Sequence, residues 1–458
     1  MSAPIHLSRL TGWGRTAASG ARLLPVSATN IAEAVAGAGD RGALVRGLGR
    51  SYGDAAQNGG GLVMRLAGSA GDALLDEQAD EVTVGGGVSV DDLLRVLVPR
   101  GFFVPVTAGT RFITVGGAIA SDIHGKNHHG DGSFGNHVRS MSLLTADGTV
   151  VELSPTVRPD LFWATVGGMG LTGVVLDARI HVLPIETSRC TVDTTRAHDL
   201  DHVMAMMEEG DDRYRYAVAW IDLMAKGRHL GRSVLSRGDH ATLAQLPESD
   251  RPSARDYDPK VLASVPPIVP FSALNRLSIK AFNELWFRKA PQHRTGELQT
   301  IAQYFHPLDM IGGWNQSYGP RGFVQYQILI PFGEERALRT VVERLASSGA
   351  ASFVTVLKRF GAGNQAPLSF PAPGWTLTLD IPAGTSGLAE MLHELDVVVL
   401  DAGGRHYMAK DSHTTPQAIA RGYPRLREWQ AVRDAIDPDG VWQSDLARRL
   451  HLITAHSH

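Results

Sequence analysis

Between Thr114 and Gly135 the chain reads TVGGAIASDIHGKNHHGDGSFG, with His124, Lys126, His128 and His129 set among glycines and no apolar period. Imidazole and amine groups so placed can exchange protons or face an anion, and bare glycine backbone lets a ligand approach the main chain. Asp122 and Asp131 add zinc-ligand types, but the spacing matches no short metal motif, so no metal is expected. His137 reads as a structural, hydrogen-bonding histidine. A second glycine-rich run, VRGLGRSYGDAAQ from Val45 to Gln57, follows a strand. Exposed amides at turns and helix N-termini bind phosphate, so both runs are candidates to hold a dinucleotide pyrophosphate. Neither has the G-x-G-x-x-G spacing with an acidic residue ~20 positions on, which disfavours a nicotinamide site, and no G-x-x-x-x-G-K-[ST] is present.

The elements that must carry these runs alternate early in the chain. SATNIAEAVAGAGDRG predicts a capped helix and ALVRGLG a strand entering a glycine turn. EVTVGGGVSVDDLLRVLVPRG repeats the order, with a helix capped at Ser89 and stopped at Gly101. A short helix is expected around Gly117 to Ser121. VRSMSLLTADGTVVELS reads as a hairpin turning at Asp147-Gly148, and DLFWATVGGMGLTGVVLDARIHVLP adds a short helix and a strand. Farther on, YRYAVAWIDL, GFVQYQILIPF, ASFVTVLKRFG and GWTLTLDIPAG are alternating strands separated by helices such as EERALRTVVERLASSG, the pattern of an antiparallel sheet covered by helices. Residues 244–320 have weak periodicity and read as lid or binding loops. The tail predicts a helix stopped at Pro-Asp-Gly and a short polar-capped turn. Trp375 and Phe353 read as core.

At 458 residues the chain exceeds one hydrophobic core. A net charge of -3, from 44 basic and 47 acidic residues, leaves no electrostatic footprint for nucleic acid. The single cysteine, Cys190, excludes an internal disulfide and reads as a buried apolar residue. No charged start with an apolar run opens the chain, and no stretch approaches ~18 apolar residues, so the expected location is the cytoplasm.

The two glycine loops, with LFWATVGGMGLTGVV behind them, resemble the FAD-binding domain of the vanillyl-alcohol-oxidase-like flavoproteins. DIHGKNHH, GSFGNHVRSM, YFHPLDM, NQAPLSFP, AKDS and SDLARRL are similar to the flavin subunits of polyprenylphosphoryl-ribose 2'-epimerases within that family, over nearly the full length. The resemblance implies an α+β fold of two domains: a FAD-binding domain over residues 1–187, a substrate domain over 188–404 with an antiparallel sheet covered by helices, and a segment 405–458 returning to the first. It implies oxidation of the 2'-hydroxyl of decaprenylphosphoryl ribose to a keto sugar, hydride passing to the flavin. A separate keto-sugar reductase partner would then complete epimerisation to the arabinose donor of cell-wall arabinan. The family's assignment to the cell envelope stands against the cytoplasmic expectation. Rival readings are a FAD oxidase of free sugars or alditols, and a non-catalytic flavin-binding scaffold.

By the same resemblance FAD would lie on Arg46, Gly47, Leu48, Gly49, Arg50, Ser51, Tyr52 and Gly53 of the first loop. Gly109, Thr114, Val115, Gly116, Gly117, Ser121, Asp122, Ile123 and His124 would follow, with Asn136, His137, Val175 and Tyr407 as further neighbours. Relatives with covalent flavin carry a histidine where this chain has Arg50, whose guanidinium cannot form that link, so the FAD is expected to be non-covalent. Alcohol oxidation needs a group that takes the hydroxyl proton as hydride leaves, and Lys410, His124, Gln327, Lys358 and Tyr52 are the candidates. A buried Lys410 would serve either as a base or as a cation for the substrate's phosphodiester. Strand alternation in GGRHYMAKDS separates Tyr407 from Lys410, so a turn or bulge is needed if both line the site. Lys126, Trp220, Gln325, Phe360 and Thr378 would wall the sugar pocket. Family members carry asparagine where this chain has Thr376 and cysteine where it has Thr378, so no thiol chemistry belongs there. The stretch from Val265 to Phe287 supplies apolar and aromatic candidates for a prenyl tail or a peripheral membrane contact.

Overall fold

The computed structural model describes residues 5–266, 275–349, 352 and 354–453. Its N-terminal part holds two larger sheets and a two-stranded one that pairs Phe102–Phe103 with Leu183–Pro184. In the four-stranded one, the strands run His6–Thr11, Ala18–Val26, Leu62–Leu66, Ala43–Val45 across the sheet. In the five-stranded one the order is Ala73–Asp76, Glu81–Gly85, Val174–His181, Val138–Leu144, Val150–Leu153. The hairpin at Asp147-Gly148 joins the last two of these, with Gly148 at φ 83° making its turn. The helix Val90–Leu97 begins where Ser89 accepts a bond from the Asp92 amide and buries Val90, Leu93, Leu94 and Leu97. Its stop, Gly101, sits at φ 86°, a conformation that costs glycine little. The short helix of the second glycine run spans Val115–Ala120, opened by the Thr114 hydroxyl, which accepts from the Gly117 amide at 3.2 Å.

An eight-stranded sheet occupies the middle of the chain, in the order His293–Thr300, Arg189–Ala197, Ser233–His240, Tyr216–Ile221, Thr355–Phe360, Gly374–Pro382, Phe323–Pro331, Arg405–His406. Every pairing in it is antiparallel. Alternation decides its two faces. Trp375, Leu377, Leu379 and Ile381 alternate with Thr376, Thr378 and Asp380, and the apolar set joins Val324, Tyr326, Ile328 and Ile330 in one core. That core is covered by the helices Leu200–Gly210, Glu335–Ser348 and Leu388–Asp401. Four fully buried side chains of Glu335–Ser348 (Leu338, Val341, Val342 and Leu345) anchor it, each contributing roughly 1.5–3 kcal/mol. The opposite face carries Gln325, Gln327, Thr376, Thr378 and Asp380, all buried although polar. A buried polar row needs partners to offset its desolvation; Gln325 pairs with Asp380 and Gln327 with Thr376 within the face, and Gln327 also reaches His124 of the N-terminal part.

Two expectations are corrected. The segment 244–320 is not a loop throughout: it contains the helix Arg276–Lys289, the edge strand His293–Thr300 and the helix Ile301–Phe305. The strand HRTGELQT is mostly polar, as suits an exposed edge, and so shows no alternation. The segment drawn as returning to the first domain from residue 405 begins as this sheet's edge, Arg405 and His406 pairing with Leu329 and Ile328. The tail from residue 423 follows its reading, with the helix Leu426–Ile436 ending before Pro438-Asp439-Gly440 and the short helix Asp445–Arg449 capped by Ser444. Trp375 is fully buried, and Phe353 lies outside the described residues.

Candidate functional site

The two glycine runs meet. A Cβ on Gly47 would stand 2.5 Å from the Thr114 hydroxyl, and one on Gly116 would stand 3.0 Å from the Gly86 carbonyl. Gly109, in contrast, has nothing within 4 Å of such an atom, so the backbone there opens onto free space. Gly117 carries its Thr114 contact at the helix start, Val115 and Ile123 are core, and Val175 is buried at a register shift of its strand. Leu48 is exposed and Gly49 has φ 67°, while Ser51 accepts from the Trp13 amide at 2.8 Å. The loops thus offer bare main chain and amides to a phosphate, as a FAD diphosphate requires.

Several side chains around these loops are held by other parts of the protein. The Arg46 guanidinium donates to the carbonyls of Ala56 at 2.8 Å and Thr11 at 2.7 Å, which staples the first loop. Arg50 lies 3.8 Å above the Trp13 ring and 5.3 Å from that of Phe112. Asp122, at φ 39°, accepts from Ser133 Oγ at 2.8 Å, the Gly135 amide at 2.9 Å, Asn364 Nδ2 at 2.8 Å and Ser369 Oγ at 2.5 Å. It ties the histidine run to the NQAPLSFP loop, so its carboxylate is committed within the protein. Asn136 accepts from the Ser133 amide at 3.1 Å, and His137 Nε2 is 2.9 Å from the Asp131 carbonyl.

The three histidines diverge. His128 Nδ1 accepts from the Gly361 amide at 3.2 Å, and His129 Nε2 donates to the Tyr214 carbonyl at 2.9 Å. His124 Nε2 stands 2.8 Å from the Gln327 side-chain nitrogen, which also donates to Thr376 Oγ1 at 3.2 Å. Since that amide nitrogen donates, Nε2 accepts and the ring proton sits on Nδ1, which is buried without a partner. The ring is enclosed by Phe360 at 4.9 Å, Phe370 at 5.5 Å and Tyr407 at 4.9 Å. Burial, reinforced by Lys358, holds its pKa well below the ordinary histidine value, so it is neutral. An orphaned buried donor is a place for a ligand acceptor, and with the bare glycine loops the residues present fit a flavin with its substrate.

Lys410 arrives through a tight turn. The strand ends at His406 and Met408–Lys410 forms a single 3-10 turn, which brings Tyr407 and Lys410 to one side as the site demands. The Tyr407 hydroxyl donates to the Ser121 carbonyl at 2.7 Å, and Lys410 Nζ lies 3.8 Å above the Tyr52 ring. Tyr52 packs edge-on against Phe323 at 5.6 Å, and burial lifts its phenol well above the usual range. Lys358 lies on the strand Thr355–Phe360, its Nζ 3.4 Å from the Gly125 carbonyl, and burial lowers it to about 8. Pairing sets Gln327 opposite Thr378, Thr378 opposite Val356, and Val356 opposite the part-buried Trp220, one row across the face. Phe360 contacts His124 and, at 4.4 Å, His128.

Lys126 is placed differently from the expectation. It donates to the Tyr304 carbonyl and lies 4.0 Å from that ring's centre, so its ammonium is already held, and burial lowers it to about 7. Cys190 is fully buried and its thiol is pushed up to about 12, so it has neither access nor thiolate for a flavin link. Asp380 was missed. It is fully buried and accepts from Gln325 Nε2 at 2.5 Å and from the Tyr318 hydroxyl at 3.4 Å. Its signal lay in GWTLTLDIP, where an acid falls in phase with Thr376 and Thr378 on the face opposite the apolar residues.

Comparison with known proteins gives matching similarities. Residues 20–154 match the FAD binding domain family, and residues 376–450 match the D-arabinono-1,4-lactone oxidase family. A decaprenylphosphoryl-beta-D-ribose oxidase of Mycolicibacterium smegmatis is 47% identical over 98% of this chain and 99% of its own. An uncharacterized Streptomyces coelicolor protein is 41% identical over 80% of this chain and all of its own. An alditol oxidase of a Streptomyces species is 32% identical, over 35% of this chain and 38% of its own.

Proposed function

The chain belongs to the decaprenylphosphoryl-beta-D-ribose oxidase family of FAD flavoproteins, and from this we propose that it oxidises the 2'-hydroxyl of a polyprenylphosphoryl ribose to the 2'-keto sugar. The observation that carries the reading is a relative similar along both whole chains and named for that substrate, where the alditol oxidase matches only about a third of each. The enzyme is a FAD-dependent oxidoreductase acting on CH-OH. FAD, when bound, supplies the hydride acceptor.

The chain's residues divide the remaining work. The glycine loops hold the diphosphate end, and the buried row of Gln327, Thr378 and Trp220 walls the sugar. Lys410 takes the hydroxyl proton, and Gln327 with neutral His124 orients the sugar oxygens. Lys358 is the counter-charge for the phosphodiester, which in this substrate is attached one carbon from the reacting centre. Burial lowers Lys358 to about 8, so it is protonated below that pH and neutral above it. The expected consequence is a KM that is flat below pH 8 and climbs above it, and Lys358→Gln raises KM about tenfold and abolishes the climb. A KM indifferent to both removes Lys358 from phosphate binding.

The helix Arg276–Lys289 supports a lipid-linked substrate. Leu277, Leu285 and Trp286 are 79%, 67% and 48% exposed on it, among Arg276, Lys280, Arg288 and Lys289. That composition suits the interface of an anionic membrane, although residues 267–274 of the stretch read as lipid-facing lie outside the described residues. Among the described residues no helix is long and apolar enough to cross a membrane. The keto product needs a reductase partner to complete an epimerisation.

The deciding experiment mixes the yellow protein anaerobically with polyprenylphosphoryl ribose, free ribose and alditols in turn. Bleaching of the flavin by the lipid-linked sugar, and not by the free ones, is the expected result. Bleaching by alditols alone overturns the substrate, and no bleaching by any overturns the activity.

A further inference from the structure

One buried carboxylate among the site's lysines has no task in the mechanism above. Asp380 is fully buried on the sheet's inner face and paired in register with Gln325, whose amide donates to it at 2.5 Å. The Tyr318 hydroxyl approaches its other oxygen at 3.4 Å. Tyr52 interacts with both Asp380 and Gln325, and Lys410 Nζ lies 3.8 Å above its ring. Lys126 and Lys358 have no comparable carboxylate. We propose that Asp380 is a positioning residue that acts through Lys410, supplying the negative charge against which the ammonium forms when Lys410 takes the substrate's proton. This rests on the reading that a CH-OH group is oxidised.

The step balances. The substrate O–H bond breaks and an N–H bond forms at Lys410 Nζ; the C–H electron pair leaves as hydride to FAD; the C=O bond forms. The site acquires one positive charge at Lys410, in a dry cavity where an unpaired ammonium is costly. Asp380 is the charge that opposes it, whereas Lys358 works against it. The other groups facing the pair are Tyr52 and Arg50 of the first loop, Asp309, Tyr318, and neutral His124. Burial disfavours both ionised forms, raising the Asp380 carboxyl and lowering the Lys410 ammonium, while each group's charge favours the other's.

The test is the pH profile of anaerobic flavin bleaching at saturating substrate, with FAD retention read from its absorbance. Oxidation needs neutral Lys410, so the rate falls on the acid side. In Asp380→Asn the ammonium loses its counter-charge and the lysine loses its proton more easily. The acid limb then moves down by about one pH unit, and the plateau drops about tenfold to a hundredfold. Asp380→Glu returns the limb toward its original place. A lower plateau with an unmoved limb means a merely structural role and overturns the proposal. Should Asp380→Asn fail to fold, Tyr318→Phe decides: it removes a bond that favours the carboxylate, and a limb shifted down by about half a unit is expected. An unmoved limb there overturns the proposal equally. If the lipid-linked ribose does not bleach the flavin, the profile is run on whichever alcohol does, so the two readings fail separately.

Discussion

Lys410→Met lowers the rate of flavin reduction about 10²–10⁴-fold, the range associated with a positioned proton acceptor, while FAD stays bound and KM changes little. Lys410 is proposed as the base and Lys358 as the cation for the phosphate, and the surroundings of each support that division. Its ammonium lies over Tyr52, with Asp380 as its opposing charge, so its charge is already compensated within the protein. Lys358 has a carbonyl and an aromatic neighbour but no carboxylate, so it is the better partner for an anion. Burial lowers the Lys410 ammonium below the ordinary lysine value, which raises the fraction of free amine near neutrality. A base must be neutral to accept, so wild-type activity rises with pH through this ionisation, and the methionine variant loses that rise along with the rate. Stopped-flow bleaching across pH measures both. A variant with normal kcat and a raised KM would transfer Lys410 to the phosphate.

How much of this was legible in the sequence depends on what held each element in place. The Ser89 cap, the Asp147-Gly148 turn and the alternation of GWTLTLDIP are local signals, and the structure follows them. The strand His293–Thr300 carried no such signal, because an edge strand facing solvent needs no apolar face. In the site, residue types were readable where their neighbours were consecutive. The side-chain partners of Asp122, by contrast, include Asn364 and Ser369, more than 240 positions away, so its role as a tie between distant segments could only come from the fold. The contact of Lys126 with the Tyr304 carbonyl was hidden for a similar reason, its partner lying 178 positions away. Asp380 was missed although its phase was correct, because one acid in a strand gains meaning only when Gln325 and Lys410 are seen beside it.

Gly53→Ala is the strongest steric prediction. A Cβ there would lie 1.9 Å from the Asp411 carbonyl oxygen and 3.1 Å from Ser412 Cα, both backbone atoms. Relief requires one of two segments to move, and both are fixed. The first loop is bonded to the Lys410 turn through the Tyr52 amide and the Ala409 carbonyl at 3.0 Å. The turn is fixed from behind, where Asp411 accepts from Arg449 at 2.9 Å and from the Thr414 amide at 2.9 Å. Arg449 also holds Asp54, next to Gly53, at 2.7 Å, so one guanidinium clamps both segments from the far side. Overpacking of such a contact costs about 1–3 kcal/mol even where side chains can adjust, and here the opposing atoms are main chain. The expected result is a loss of about 3 kcal/mol in unfolding free energy, FAD lost on gel filtration, and oxidation impaired because Lys410 moves with the turn. Gly130→Ala, whose Cβ meets nothing within 4 Å, is the control for added bulk in the same domain. Retained FAD and an unchanged melting temperature in Gly53→Ala would show that the loop and the turn can separate freely, and the link between cofactor binding and the placement of Lys410 would then fall.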